Sequence, residues 1–315
     1  MNQEVSSNGY SAKLSRRLLL FWCFFIGIGA VWGSLCMFID PTGKTFGFDV
    51  FFEGFRRLPF YDLYSGLFQN LIFPGISLLI VNGISNLVAA VLMLKKKHIG
   101  IILGMVFGIT LMLWITIQFV IFPLNPLSVS YFIFGLLQFI TGYVCLVRTA
   151  QEGYQVSRND YFNIKNRSDT LVVYFSRVGY TKKLAYDKAD ELHAEIYEIQ
   201  PEEQIKGVAG FWWCGRFGMH RWAMPIKKCK KDLSRYKKVV ICTPVWVFSL
   251  ASPVREFCKE EAGKIKHVEY VINHFEYMSW KSVAKEMDQL LGVKGENTVS
   301  VTTHMGKVKR LASVS

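Results

Sequence analysis

Four stretches in the first half of the chain, residues 18–39, 71–94, 99–122 and 130–147, contain no lysine, arginine, aspartate or glutamate. A helix of about 20 apolar residues crosses the hydrocarbon core of a bilayer. Lipid offers the backbone no hydrogen-bond partners, so such stretches are constrained to be helices. The first is long for a secretory leader and lacks a small-residue cleavage site, and three more follow it. The reading is four membrane spans within residues 18–148, a tail over 1–17, a linker over 149–169 and a second domain over 170–315.

Lysine and arginine beside the spans set their direction. Lys13, Arg16 and Arg17 precede the first, Lys95, Lys96 and Lys97 separate the second and third, and Arg148 follows the fourth, whereas the turn from Pro123 to Val129 is uncharged. The expectation is a multi-pass protein of the cell membrane with both termini in the cytoplasm. The loop over 40–70 has Lys44, Arg56 and Arg57 but also Asp40, Asp49, Glu53 and Asp62. Seven cysteines show no CxxC pair and no metal-ligand spacing, as expected of free thiols in a reducing compartment.

Polar groups inside the spans are few: Asn82 and Asn86, Gln118 and Gln138. The two asparagines, four apart, share a helix face and suit bonding between helices better than transport, which usually needs ionisable groups. Glycines at 100, 104 and 108, and at 29 and 33, allow helices to approach closely. His98 is the only histidine near the spans, which excludes a bis-histidine haem carrier, whereas quinone binding stays open.

The chain carries a formal net charge of +13, and the region from Gln151 onward shares that basic excess. Beside a membrane such an excess is drawn to anionic headgroups. No DNA- or RNA-binding motif accompanies it, so no nucleic-acid partner is expected. Here the pattern changes to apolar β-branched and aromatic runs alternating with helical periodicity. Strands are expected at 170–175, 194–199, 238–242, 267–273 and 298–302, and helices at 180–193, 253–262 and 279–291. That alternation implies a doubly wound parallel sheet with its ligand at the carboxyl ends of the strands.

At the end of the first strand lies Ser176-Arg177-Val178-Gly179-Tyr180-Thr181, opening a helix. Successive backbone amides and a helix N-terminus favour an anion, Gly179 permits the turn, and Ser176 and Thr181 offer hydroxyls. The pattern is neither a Walker loop nor GxGxxG, and no NAD(P)H-binding fingerprint is present. After the third strand comes Cys242-Thr243-Pro244-Val245-Trp246-Val247-Phe248, followed by Pro253-Val254-Arg255. Trp246 and Phe248 could face an aromatic ring, or Trp246 could simply pack the strand end.

These two motifs together resemble the flavodoxin family over residues 170–303. The resemblance implies an α-helical membrane domain of four transmembrane helices followed by an α/β flavodoxin-like, doubly wound, five-stranded parallel sheet. It implies FMN as cofactor, with Ser176, Arg177, Val178, Gly179, Tyr180 and Thr181 at its phosphate and Pro244, Val245, Trp246, Val247 and Phe248 along its ring. Asn273 and His274, after the fourth strand, would lie at the ring's edge, where His274 could donate a proton or serve structurally. The membrane half, from Asp40-Pro41-Thr42-Gly43-Lys44 through Leu58-Pro59-Phe60 to Pro74-Gly75, resembles a widespread bacterial family of four-span proteins of unknown function.

The family pattern is broken at Val178 and Tyr180, where threonine and asparagine are usual, and at the bulky Asn273-His274-Phe275-Glu276-Tyr277. The chain after the fifth strand is too short for the usual closing helix. One sheet face is then expected to need cover from the membrane half, the linker or a second copy in a homodimer. The run from Gly210-Phe211-Trp212-Trp213 to Pro225-Ile226 resembles an aromatic and basic insertion of bacterial family members. Trp212, Trp213 and Trp222 with Arg216 and Arg221 suit either a membrane interface or core packing. Lys227, Lys228, Lys230 and Lys231 suit an acidic redox partner, lipid headgroups or a solvated face. The expected function is FMN-mediated electron transfer, as a carrier or as a reductase of quinone or another acceptor. The alternative is a flavin-free scaffold or interaction domain tethered to the membrane.

Overall fold

The computed structural model describes residues 11–313 except 60, 123, 153, 204, 277 and 279. Most of the N-terminal tail, Phe60, Pro123, Tyr277 and Ser279, which figure in the sequence reading, lie outside the described residues. The described chain divides into two compact units, with the division falling between Thr149 and Ala150.

In the first unit, α1 (Lys13–Ile39), α2 (Val50–Phe55), α3 (Tyr61–Tyr64), α4 (Ile72–Leu78), α5 (Ser85–Leu94), α6 (His98–Ile121) and α7 (Pro126–Glu152) follow one another. A π-helical turn, Leu79–Ile84, joins α4 to α5 into one continuous segment. Among the described residues, four helices are long and apolar enough to cross a membrane: Lys13–Ile39, Ile72–Leu94, His98–Ile121 and Pro126–Glu152. Their centres fall where the uncharged stretches are, and each end lies within a turn or so of the expected one. The helices extend into charged flanks because backbone hydrogen bonding does not stop where hydropathy does.

One side chain joins all four. Gln138 on α7, fully buried, donates through Nε2 to Asn86 Oδ1 on α5 (2.8 Å) and to the Gly104 carbonyl on α6 (2.8 Å), and it reaches Cys23 Sγ on α1 (3.6 Å). Asn86 in turn donates to the Asn82 carbonyl at 2.9 Å. Between α6 and α7 a Cβ on Gly108 would lie 2.6 Å from the Phe139 amide nitrogen, so glycine is what permits this approach.

In the second unit β1 (Thr170–Tyr174), α8 (Tyr180–Glu191), β2 (Glu195–Glu198), α9 (Gly207–Met219), β3 (Lys238–Trp246), β4 (Ser249–Leu250), α10 (Ser252–Glu260), β5 (Val268–His274), α11 (Lys281–Leu291), β6 (Asn297–His304) and β7 (Lys307–Ser313) alternate along the chain. The sheet order is β2-β1-β3-β5-β6-β7, with β4 paired to β3. The first five are parallel, in the register Leu171↔Glu195, Tyr174↔Cys242, Ile241↔Tyr270 and Ile272↔Ser300.

Alternate residues of the central strands face opposite layers. Leu171, Val173, Val239, Ile241, Tyr270 and Ile272 pack on Val254 and Phe257 of α10 and on Val283, Met287 and Leu291 of α11. Val172, Tyr174, Val240, Cys242, Val271 and Val301 pack with Ala185, Tyr186 and Ala189 of α8. Burial of each large apolar side chain is worth about 1.5–3 kcal/mol.

Two details of the sheet differ from expectation, and one open alternative is filled in. The sheet is not purely parallel: the segment too short for a closing helix forms β7, antiparallel to β6. A strand needs about half as many residues as a helix to cover the same length, so seven residues suffice. The linker, one of the covers expected, packs on the α8 face through Val156, Tyr161 and Ile164. It is tied down by Tyr161 Oη to Asp187 (2.9 Å), Asn163 N to Asp190 (2.8 Å) and Lys165 N to the Ala194 carbonyl (3.0 Å). Finally, Thr243-Pro244-Val245-Trp246 is not a loop but the last part of β3, with Thr243 and Pro244 paired to β5 and Val245 and Trp246 to β4.

Glu195 fastens the start of the sheet. Its buried carboxylate meets Lys231 Nζ (2.7 Å), Arg235 Nη2 (2.7 Å), Tyr236 Oη (3.0 Å) and the Ser168 amide (3.0 Å). Burial alone would raise its pKa, but the bonds from Lys231, Ser168 and Tyr236 outweigh it and hold the group below its ordinary value of 4.5. Its stabilisation is therefore whole above that value and lost as pH falls through the lowered one. Glu195→Ala is expected to cost about 3 kcal/mol, because it leaves partly buried cations without their partner. Urea unfolding of the full-length protein in detergent, followed by near-ultraviolet circular dichroism, measures it. In the first unit, Gln138→Ala is expected to cost about 1 kcal/mol in denaturation from mixed micelles.

Candidate functional site

In a sheet ordered β2-β1-β3-β5-β6 the chain leaves β1 toward one edge and returns through β3 toward the other. The crevice outside the carboxyl ends of β1 and β3 is then open to a ligand. Pairing of Tyr174 with Cys242 and of Pro244 with Asn273 brings residues 175–181, 244–250 and 273–280 to that end. This is the flavodoxin-like strand order.

The first loop is shaped by Gly179, which caps α8 in the left-handed region at φ +108°. An L side chain rarely adopts that conformation. The first turn of α8, beginning at Tyr180, leaves its amides without intrahelical acceptors and concentrates positive potential there. Ser176 Oγ accepts the Gly179 amide at 3.0 Å, so its own proton stays available to donate outward. Thr181, 2 % exposed, accepts Asn273 Nδ2 at 3.1 Å, while Asn273 Oδ1 takes the Thr303 hydroxyl at 2.7 Å. The chain of bonds fixes Thr181 with its hydroxyl lone pair occupied and its proton free to donate.

Ser176, Gly179 and Thr181 are thus brought together, with Val178 half-buried between them. Arg177 and Tyr180 turn elsewhere. The Arg177 guanidinium donates to the carbonyls of Ile205 (3.0 Å) and Gly207 (2.9 Å) and lies over the Phe211 ring. It ties the loop to the start of α9. Burial pushes the Cys214 thiol on α9 up to about 11 despite Arg177. Tyr180 meets Tyr154 edge-on at 4.7 Å, and burial raises its hydroxyl pKa.

In the second element, Pro244 and Val245 are half-buried at the end of β3. Trp246 packs edge-on against Phe175 at 5.2 Å, on the α10 and α11 side. Its side chain is half-buried at the strand end, packed against the edge of that core. Val247 and Phe248 form the two-residue turn between Trp246 and Ser249, with φ of +45° and +58°. Two positive values are those of a type I′ hairpin, normally built from asparagine and glycine. A β-branched residue there is strained by roughly 1–2 kcal/mol. The turn displays both side chains, with Phe248 65 % exposed.

At the last residue of β5, both ring nitrogens of His274 are engaged: with the Glu276 carbonyl at 2.6 Å and with Ser300 Oγ at 2.6 Å. Donation by Nδ1 to the carbonyl and acceptance by Nε2 from the hydroxyl describe a neutral imidazole. Burial lowers its pKa below 6.5, although the Glu276 carbonyl pulls the other way. His274 therefore braces the loop after β5, and Asn273 braces Thr181. Both side chains are buried at the carboxyl end of β5.

Sequence reasoning missed Thr303 and Ser249. Ser249 Oγ bonds the Gly218 carbonyl (3.1 Å) and the Trp246 carbonyl (2.9 Å), clamping α9 to the hairpin. Ser249 continues the second sequence element and Thr303 lies outside both, and their partners are distant in sequence, so neither role has a local signal.

No protein-family model matches this chain, and no curated protein matches it. Among solved structures it is similar to a flavoprotein in complex with FMN from Lactobacillus acidophilus NCFM, at 19% identity over 42% of this chain and 91% of that one, TM-score 0.37. It is also similar to putative flavoproteins from Bacteroides eggerthii DSM 20697 (20% identity, 44% and 91% covered, TM-score 0.38) and Bacteroides uniformis ATCC 8492 (23% identity, 42% and 91% covered, TM-score 0.37).

Val247→Gly relieves the turn strain and is expected to raise unfolding stability by about 1 kcal/mol, read as an increased midpoint in thermal unfolding. Because the unfolded chain protonates His274 near pH 6.5 and the folded one resists, stability from this residue is whole above that pH. It declines as pH falls below, and the decline is expected to be absent from His274→Gln.

Proposed function

We propose that the second unit binds FMN at the carboxyl ends of β1, β3 and β5 and takes part in electron transfer. The four long apolar helices anchor it in the cell membrane, with both chain ends in the cytoplasm. The observation that carries the reading is the start of α8 at the β1/β3 crevice, where Gly179, Ser176 and Thr181 make an anion cradle with two hydroxyl protons left to donate.

The residues fit such a cofactor at its phosphate end. Ser176 and Thr181 donate to phosphate oxygens, the amides of the first turn of α8 add donors, and the helix N-terminus favours the charge. Val247 and Phe248, held outward by the strained hairpin, supply apolar contact for the ring, and Pro244 and Val245 lie behind them. Bound there, FMN supplies one- or two-electron chemistry. The protein's part is to hold it, to shield one side from water and to keep Thr181 aligned through Asn273 and Thr303.

A second reading, a flavin-free interaction domain, draws on the engagement of Arg177 and Tyr180 with α9 and the linker. Titration of cofactor-free full-length protein in detergent, read by quenching of flavin fluorescence, separates the two. FMN is expected to bind, and Thr181→Val to weaken it about tenfold, the worth of one charge-assisted hydrogen bond, while riboflavin binding stays unchanged. Equal weakening of both flavins would remove Thr181 from the phosphate site. Failure of either flavin to bind would favour the interaction domain.

A further inference from the structure

Helix α9 is amphipathic in the reverse of the usual sense. A helix on a water-exposed surface turns polar residues outward. Here the residues facing the domain are small: Gly210, Cys214 and Gly218 are buried, and a Cβ on Gly218 would lie 3.2 Å from the Trp246 carbonyl. The residues facing away are Phe211 (58 % exposed), Trp212 (71 %) and Met219 (68 %), and Trp222 follows at 45 %. This settles the earlier choice for the insertion: Trp212 is not a core residue.

The polar groups on the same surface are basic. Lys206, Arg216 and Arg221 are exposed, and the Arg216 guanidinium lies over both the Trp213 and Trp222 rings, at 5.3 and 5.4 Å. No aspartate or glutamate occurs in α9. Beside it, the Glu203 carboxylate accepts the Trp213 indole N–H at 3.0 Å. Contiguous exposed apolar surface marks an interaction site. Tryptophan and phenylalanine beside arginine and lysine, on a helix that itself carries no acid, is the chemistry of an interfacial helix at anionic lipid.

We propose that the outward face of α9 docks on the surface of an anionic bilayer, with Phe211, Trp212 and Met219 among the acyl-chain ends of the headgroups and Lys206, Arg216 and Arg221 at the phosphates. The bilayer is favoured as occupant because the chain carries four helices long and apolar enough to sit in one, and because the basic rim matches anionic headgroups. The inference holds whichever ligand the crevice takes. Since Arg177 joins the first crevice loop to the start of α9, and Ser249 joins its end to the hairpin, docking would hold both crevice elements near the bilayer surface.

The test uses full-length protein in nanodiscs, with an environment-sensitive fluorescent amino acid at position 212. Brominated lipids are expected to quench it about twofold more strongly in phosphatidylcholine–phosphatidylglycerol discs than in phosphatidylcholine alone. The double change Arg216→Glu and Arg221→Glu is expected to abolish the difference. An emission that no lipid quenches overturns the proposal even if the charge variant misfolds. Shielding that rises with the number of chains per disc, irrespective of lipid charge, assigns the face to a second copy and overturns it equally.

Discussion

Parallel pairing of β1 with β3 is the constraint on which the second unit depends. It sets Tyr174 beside Cys242, so the loop that opens α8 and the end of β3 emerge at the same edge of the sheet. It also forces the chain to cross over between strands, and the crossings supply α8 on one face and α10 and α11 on the other. The crevice between the two strand ends is a by-product of that topology, and Ser176, Gly179, Thr181 and the turn at Val247 and Phe248 are the residues proposed to furnish its chemistry. Asn273 and His274 each stiffen an element beside it.

The first unit has a different organising rule. With almost no charge inside four apolar helices, packing rests on close approach at glycines and on the few amides present. Gln138 gathers Asn86, the Gly104 carbonyl and Cys23 in one place, so a single side chain touches every long helix. The asparagine and glutamine side chains act here as joints between helices, which agrees with the absence of ionisable residues along the spans.

Much of this was legible in the sequence because it follows from periodicity and length. The long helices, the alternation of strands and helices and the place of residues 176–181 after the first strand are local properties. What was not legible arises from contacts distant in sequence. Nothing near Arg177 announces that its guanidinium will be taken by the carbonyls of Ile205 and Gly207. Nothing near Asn273 announces Thr181 and Thr303. Val247 and Phe248 carry neither glycine nor asparagine, so the tight turn that reverses the chain after Trp246 has no local signal. The edge strand β7 was hidden because Lys307–Ser313 alternates charged and apolar residues only weakly and gains its conformation from pairing with β6.

The account therefore turns on whether the cradle at the start of α8 is occupied by a flavin nucleotide in the native protein. The visible absorption spectrum of the full-length chain, purified in mild detergent without added cofactor, tests this most directly. The account predicts oxidised-flavin bands, with FMN recovered in the supernatant after denaturation. A colourless protein that stays colourless after incubation with FMN would contradict it.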